Sequence, residues 1–318
     1  MTPGAAPPQA GRLPLKQLLL VFGLVATVYA VVLLVWGDSP KVSLSVLWSW
    51  TGLQAGLLCL LNYVLRGVRW RLWMAHYGRH FGWLEGLRLY LAGYAFTPTP
   101  GNVGEAVRGL MLAYKPLSLA QSLAIFGAER LADLLCLLLL CVPALGWVLG
   151  HASVRAAMQS IPNLAGGLLA VASISLVLVL AVLHHYRKRL LQHFAWLGEA
   201  VQCLCLRPGL WFGLTLLAWA AQGLAVWLIC RAFAVHLPLL TAIGFYAVAM
   251  VAGALSALPA GLGGTEVVLT GLLVAQSATP AMALAITVLT RLLTLWLAVA
   301  LGVVALLYSA AIRKDIKL

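Results

Sequence analysis

The chain has 318 residues, 63% of them hydrophobic and 9% charged, with a mean hydropathy of +0.99, which excludes a soluble domain and points to a polytopic all-α membrane protein. A net charge of +13 would suit nucleic acid, but the basic residues cluster at the ends of apolar segments, so no nucleic-acid partner is expected.

Residues 1–11 are rich in Pro, Ala and Gly and read as a disordered N-terminus ahead of a single transmembrane domain, 12–318. Arg12 and Lys16 precede a first span at 18–36, too long for a signal-peptide core and without a cleavage site, hence an uncleaved anchor. A second span covers about 44–63 and is followed by Arg66, Arg69, Arg71, Arg79 and Arg88. Then comes a stretch centred on TPTPGNVGEAVR, in which Pro98, Pro100 and Gly101 stop one apolar helix. Asn102 or Gly104 is placed to cap a second helix, 103–114, that opens with Glu105 and Arg108 on one face. Neither arm reaches the roughly 20 residues needed to cross the hydrocarbon, so the stretch at about 86–115 reads as a re-entrant hairpin. Irregular backbone at membrane depth must be buried in protein or line a wet cavity.

A long helix at 118–148 carries Glu129, Arg130 and Asp133. After a loop with His151 and Arg155 come a span at 164–183, the basic run HHYRKR and an amphipathic stretch at 189–206 with Phe194, Trp196 and Leu197, expected along the membrane interface. A span at 210–233, a second hairpin at about 239–276 and a last span at 281–308 complete six spans and two hairpins.

The two hairpins are related by a shift of 161 residues, which lays Pro98, Glu105 and Arg130 on Pro259, Glu266 and Arg291. In the second copy LPAGLGGTE replaces TPTPGNVGE: Pro259 ends a helix, Gly261, Gly263 and Gly264 follow, and Thr265 is placed to cap the next one. These glycines serve equally well as close-packing positions or as a phosphate cradle at a helix start. Repeats at about 44–148 and 209–310 are therefore expected. Fourteen of the 21 basic residues, Arg66 and Arg69 among them, fall on one side of the resulting topology and three (Lys41, Arg155, Arg231) on the other. That bias implies cytoplasmic termini and repeats inverted in the membrane, an arrangement of alternating-access transporters.

Arg108, Lys115, Arg130 and Arg291 remain, inside the hairpins and the helices after them. Because a charge at the bilayer centre costs a few kcal/mol, such residues are paired and often functional. The expected set has Glu105 and Glu266 facing Arg130 and Arg291, either to bind a head group or only to brace each hairpin. Both arginines are expected to be dispensable for folding. Asp133 has Thr294 as its counterpart and Arg108 has Leu269, so the halves differ in charge. Trp36, Trp70, Trp73, Trp211 and Trp296 read as interface anchors or packing, the six cysteines as small buried hydrophobes, and the histidines as interfacial. No metal or cofactor is expected, and the absence of G-x-x-x-x-G-K-[ST] removes ATP hydrolysis by a P-loop.

PGNVGEAVR, the following ER-x-x-D, LPAGLGGTE and TRLLTLW together resemble the lysylphosphatidylglycerol synthase transmembrane, or flippase-like, family across about residues 15–310. In that family's best-understood members the membrane part moves aminoacylated phosphatidylglycerol between leaflets and a soluble C-terminal domain makes the lipid. Free-standing members resemble proteins found with glycolipid, polyprenyl-linked sugar or hopanoid pathways. The chain ends soon after the last expected span, so no synthase domain and no aminoacylation are expected. Glu105, Arg108, Glu129, Arg130, Asp133, Glu266 and Arg291 fall on the shared motifs. The resemblance implies flipping of a phosphate-bearing lipid, lipid-linked glycan or aminoacyl lipid across a bacterial inner membrane, with a separately encoded lipid-modifying enzyme as a candidate partner. A membrane-embedded transferase or accessory subunit acting on a lipid-linked donor is the alternative.

Overall fold

The computed structural model describes residues 27, 44–110, 116–150, 195–256 and 258–315. Apart from Thr27, the expected anchor at 18–36 lies outside the described residues, as do the span at 164–183, the basic run after it, Lys115, Arg155 and both termini.

Every described element is helical. A short 3-10 turn, Val46–Trp48, leads into α1 (Trp50–His76), where Ser49 caps by accepting the Gly52 N–H at 3.3 Å. There follow α2 (Trp83–Tyr94), a 3-10 segment Pro100–Ala106, the single turn α3 (Val107–Leu110), α4 (Leu119–Leu140) and α5 (Val142–Gly150). The Ser118 hydroxyl and Gln121 form a reciprocal capping box that fixes the start of α4. Next are α6 (Ala195–Cys205), α7 (Pro208–Ala232), α8 (Leu239–Leu255) and, past a 3-10 turn at Pro259–Gly261, α9 (Gly264–Ala275). Thr279 and Pro280 start α10 (Pro280–Arg291), which passes through a π turn, Leu292–Trp296, into α11 (Leu297–Asp315). The stretches Leu119–Gly150, Pro208–Ala232 and Pro280–Ser309 are long and apolar enough to cross a membrane.

The expected span at 44–63 is instead a helix that runs on to His76, because its buried face continues past Tyr63: Ala55, Cys59, Asn62, Arg66, Arg69 and Trp73 recur at helical spacing. Arg66 and Arg69 are thus core residues, not surface-loop charges, and carry no information about sidedness. The first hairpin also departs from expectation. Asn102 adopts a left-handed backbone (φ 56°) inside the 3-10 segment, and the Gly104 N–H goes to Thr99 Oγ1 at 2.9 Å, so neither residue caps a helix beginning at 103. In the second hairpin the cap position is Gly263 (φ 84°), and Thr265 lies buried within the first turn of α9, beside Gly253. The left-handed backbone at Ala260, Gly261 and Gly263 turns the chain there, without a side-chain cap.

Packing is crossed between the two halves. α1 lies along α7, α2 packs on α11, and α8 packs on α4 and α5. Glycines permit the closest crossings: a Cβ on Gly302 would sit 2.5 Å from the Ala95 nitrogen, and one on Gly244 would sit 2.7 Å from the Ala144 nitrogen. Where α1 meets α7, the buried Asn62 amide donates to the Ala218 carbonyl at 2.8 Å. α6 is docked on the bundle against α4, with Ala200 and Cys203 buried and Trp73 Nε1 donating to the Cys203 carbonyl at 2.8 Å. Trp70, Trp73, Trp211 and Trp296 are buried packing residues, as are Cys59, Cys136, Cys141, Cys203 and Cys230.

α4 shows which solvent the fold requires. Its outer face presents Leu131, Leu134, Leu135, Leu138 and Leu139, each more than a third exposed, while Glu129 and Asp133 point inwards and are buried. Leucine outside and charge inside is the inverse of a helix in water and the expected state of one in lipid.

Candidate functional site

The breaks between α2 and α3 and between α8 and α9 touch each other. Around them lies an ion-pair network that uses four of the chain's eight acidic residues. Glu105, at the end of the first break, pairs with Arg108 one turn on and with Arg130 Nη2 at 3.3 Å, and accepts the Thr97 hydroxyl at 2.9 Å. Arg108 reaches both Glu129 oxygens at 3.3 Å and stacks over the Tyr90 ring at 4.5 Å. Its stem occupies the space left by Gly93, where a Cβ would fall 2.0 Å from Arg108 Nε.

Asp133 is the second hub. Its two oxygens accept Arg66 Nη2 and Arg69 Nη1, each at 2.7 Å, and Trp219 Nε1 donates to Oδ1 at 3.2 Å. Arg69, wholly buried, also donates to Thr215 Oγ1 at 2.8 Å and lies 3.8 Å from Glu129. Arg66 reaches the Tyr94 hydroxyl at 3.3 Å, which is linked to that of Tyr90 at 2.9 Å. Arg130 is held more loosely: Asp133 is 3.6 Å away, and its side chain keeps 31% exposure.

In the second half, Arg291 Nε donates to Glu266 Oε1 at 2.8 Å and Nη2 to the Ala260 carbonyl at 2.8 Å. The left-handed Ala260 sits within the break, so Arg291 fastens that break to the end of α10. The π turn directly after Arg291 lets the Tyr63 hydroxyl donate to the Leu293 and Thr294 carbonyls at 2.9 and 3.1 Å.

Between the breaks is a cavity of about 80 Å³ whose wall carries Arg66, Arg130, Arg291 and a single carboxylate, Glu105, beside Tyr63 and Trp219. The cavity is far below the several hundred cubic ångströms of a typical small-molecule site. Over the whole network five guanidiniums face four carboxylates among the described residues. The surplus positive charge is least well paired at Arg130, on the cavity wall.

The sequence profile of the lysylphosphatidylglycerol synthase transmembrane region matches residues 18–302. The chain belongs to this family. A 96-residue stretch is also 34% identical to a UPF0104 membrane protein of Methanothermobacter thermautotrophicus, covering 30% of this chain and 29% of that protein. Membership in the lysylphosphatidylglycerol synthase transmembrane family ties the chain to membrane lipid.

Of the family-motif residues expected at the site, Glu105, Arg108, Glu129, Arg130 and Asp133 form one connected cluster, and Glu266 with Arg291 a separate pair across the cavity. Both expected pairings, Glu105 with Arg130 and Glu266 with Arg291, are present. Pro98, Pro100 and Gly101 fall at the first break and Pro259, Gly261, Gly263 and Gly264 at the second. Sequence reasoning missed Arg66, Arg69, Trp219 and Tyr63. The signal was available for the arginines, since Asn62, Arg66, Arg69 and Trp73 continue one helix face.

Proposed function

We propose that this protein translocates a lipid with an anionic, phosphate-bearing head group across the bacterial inner membrane, without catalysing a covalent reaction. One observation carries the reading: three guanidiniums and one carboxylate line a cavity where two interrupted helices meet. An anionic head group placed there gains charge-assisted hydrogen bonds, each about 1.5–3 kcal/mol, while its acyl chains stay in the bilayer.

In this reading the two interrupted helices are re-entrant hairpins of inverted repeats within a six-span domain, and both termini are cytoplasmic. Glu105, Arg108, Glu129, Arg130, Asp133, Glu266 and Arg291 bind and pass the head group, with Arg66 added to the set. The lipid comes from, or goes to, a separately encoded lipid-modifying enzyme.

Arg130→Gln removes the most loosely held guanidinium and serves as the test. Reconstituted in proteoliposomes, it should insert and fold yet lose translocation of a fluorescent anionic lipid. Undiminished translocation by the folded variant refutes the reading. Labelling of single cysteines placed at positions 3 and 316 tests the orientation, which fails if both react from the periplasm.

A further inference from the structure

Where α1 ends and the chain turns into α2, a groove of about 210 Å³ is lined by Val68, Leu72, Arg71, Arg79, His80 and Trp83. It shares no residue with the central cavity. Arg71 is set in place from three directions. Its guanidinium carbon lies 4.2 Å from the centre of the Trp83 ring, Nη2 donates to the Phe81 carbonyl at 2.6 Å, and its stem fills the space left by Gly86, where a Cβ would fall 2.6 Å from Arg71 Cδ. Nη1 is buried without a hydrogen-bond partner, and Arg71 takes part in none of the ion pairs of the described residues. A guanidinium with no carboxylate beside it leaves its charge uncompensated, so an anion is the natural complement of this site.

The surroundings select the kind of anion. Trp83 and Leu84, beside the groove, are largely exposed, and Val68 and Leu72 give the groove an apolar wall. A soluble anion would use none of this apolar surface, whereas a phospholipid would lay its acyl chain on it. We propose that this groove is a second lipid site, in which Arg71, with Arg79 and His80, holds the phosphate of an anionic phospholipid from the surrounding leaflet.

The experiment is native mass spectrometry of the full chain in detergent, titrated with phosphatidylglycerol and, separately, with phosphatidylcholine. The protein should retain a phosphatidylglycerol that Arg71→Gln loses or binds about tenfold or more weakly, the loss of one charge-assisted contact. Arg71→Lys should bind with intermediate affinity, and Arg130→Gln, in the central cavity, should retain that lipid. If Arg71→Gln does not fold, the Arg79→Gln, His80→Gln double variant carries the same expectation. Unchanged retention in the folded Arg71 or double variant overturns the proposal. So does loss confined to Arg130→Gln, equal binding of phosphatidylcholine, or displacement of the lipid by millimolar inorganic phosphate. Translocation by Arg130→Gln is a separate measurement, so failure of this site and failure of the proposed function are told apart.

Discussion

Arg291 Nε lies 2.8 Å from Glu266 Oε1, a residue 25 positions earlier, and the same separation joins Arg130 to Glu105 at 3.3 Å. The two pairs differ in solvation. The Arg291 side chain is 2% exposed and also holds the Ala260 carbonyl, whereas that of Arg130 is 31% exposed. Arg291→Gln loses the charge-assisted bond to Glu266 together with the donor to the Ala260 carbonyl, about 3–5 kcal/mol, whereas Arg130→Gln leaves Glu105 paired with Arg108 and removes a partly solvated cation, about 1 kcal/mol or less. Contrary to the expectation that both arginines are dispensable for folding, Arg291→Gln should therefore be severely destabilised and Arg130→Gln nearly as stable as the parent. Denaturant unfolding in detergent measures both, and equal stabilities would contradict the assignment.

Asp133 balances two buried guanidiniums at once. Asp133→Asn should leave Arg66 and Arg69 facing a neutral amide and lower stability by about 3–5 kcal/mol, with reduced membrane yield. Asp133→Asn combined with Arg66→Met should recover part of the loss, since one of the stranded charges is then removed. No recovery in the double variant would mean that Arg66 and Asp133 are not energetically coupled.

Gly302 and Gly271 make a matched pair of helix glycines. A methyl group at 302 meets the Ala95 nitrogen, just past α2, at 2.5 Å and the Leu91 carbonyl of α2 at 2.8 Å, and at 271 it meets nothing within 4 Å. Gly302→Ala should thus lower the melting temperature, while Gly271→Ala should raise stability by about 0.5–1 kcal/mol from helix propensity alone. Equal shifts would argue against the close contact of α2 with α11.

α6 offers a chemical check. Burial pushes the Cys203 thiol above its ordinary range, and the neighbouring Glu199 carboxylate acts in the same direction. A higher pKa leaves less thiolate at neutral pH, and the side chain is also shielded, whereas Cys205 two residues on is exposed. Maleimide labelling at pH 7.5 followed by peptide mapping should modify Cys205 well before Cys203, with the gap narrowing as pH rises. Comparable rates would contradict the docking of α6.

The helical class, the two breaks and both Glu–Arg pairs were legible because each rests on local signals: proline and glycine at helix ends, and rare charges in apolar runs. The end of the second span was not. Hydropathy averages over a window, so Arg66, Arg69 and Arg71 read as the edge of the membrane, whereas the helix carries the first two inward to Asp133, a partner more than 60 residues away. A sidedness rule that counts arginines cannot distinguish a charge left in water from one whose counterion arrives later in the chain. Trp219 escaped notice for a related reason, since its indole N–H has meaning only next to Asp133. The caps at Asn102 and Thr265 were misjudged because the left-handed backbone at Asn102 and at Gly261 and Gly263 places the helix starts elsewhere.

The seam between α1 and α7 constrains how the cavity can widen. It is pinned by Asn62 to the Ala218 carbonyl and by Arg69 to Thr215, with the indole of Trp219 reaching Asp133 behind it. Sliding or parting these helices would orphan buried donors, each costing about 1–3 kcal/mol and more for the guanidinium. The seam therefore behaves as a fixed axle. Any enlargement of the central space has to leave this seam closed.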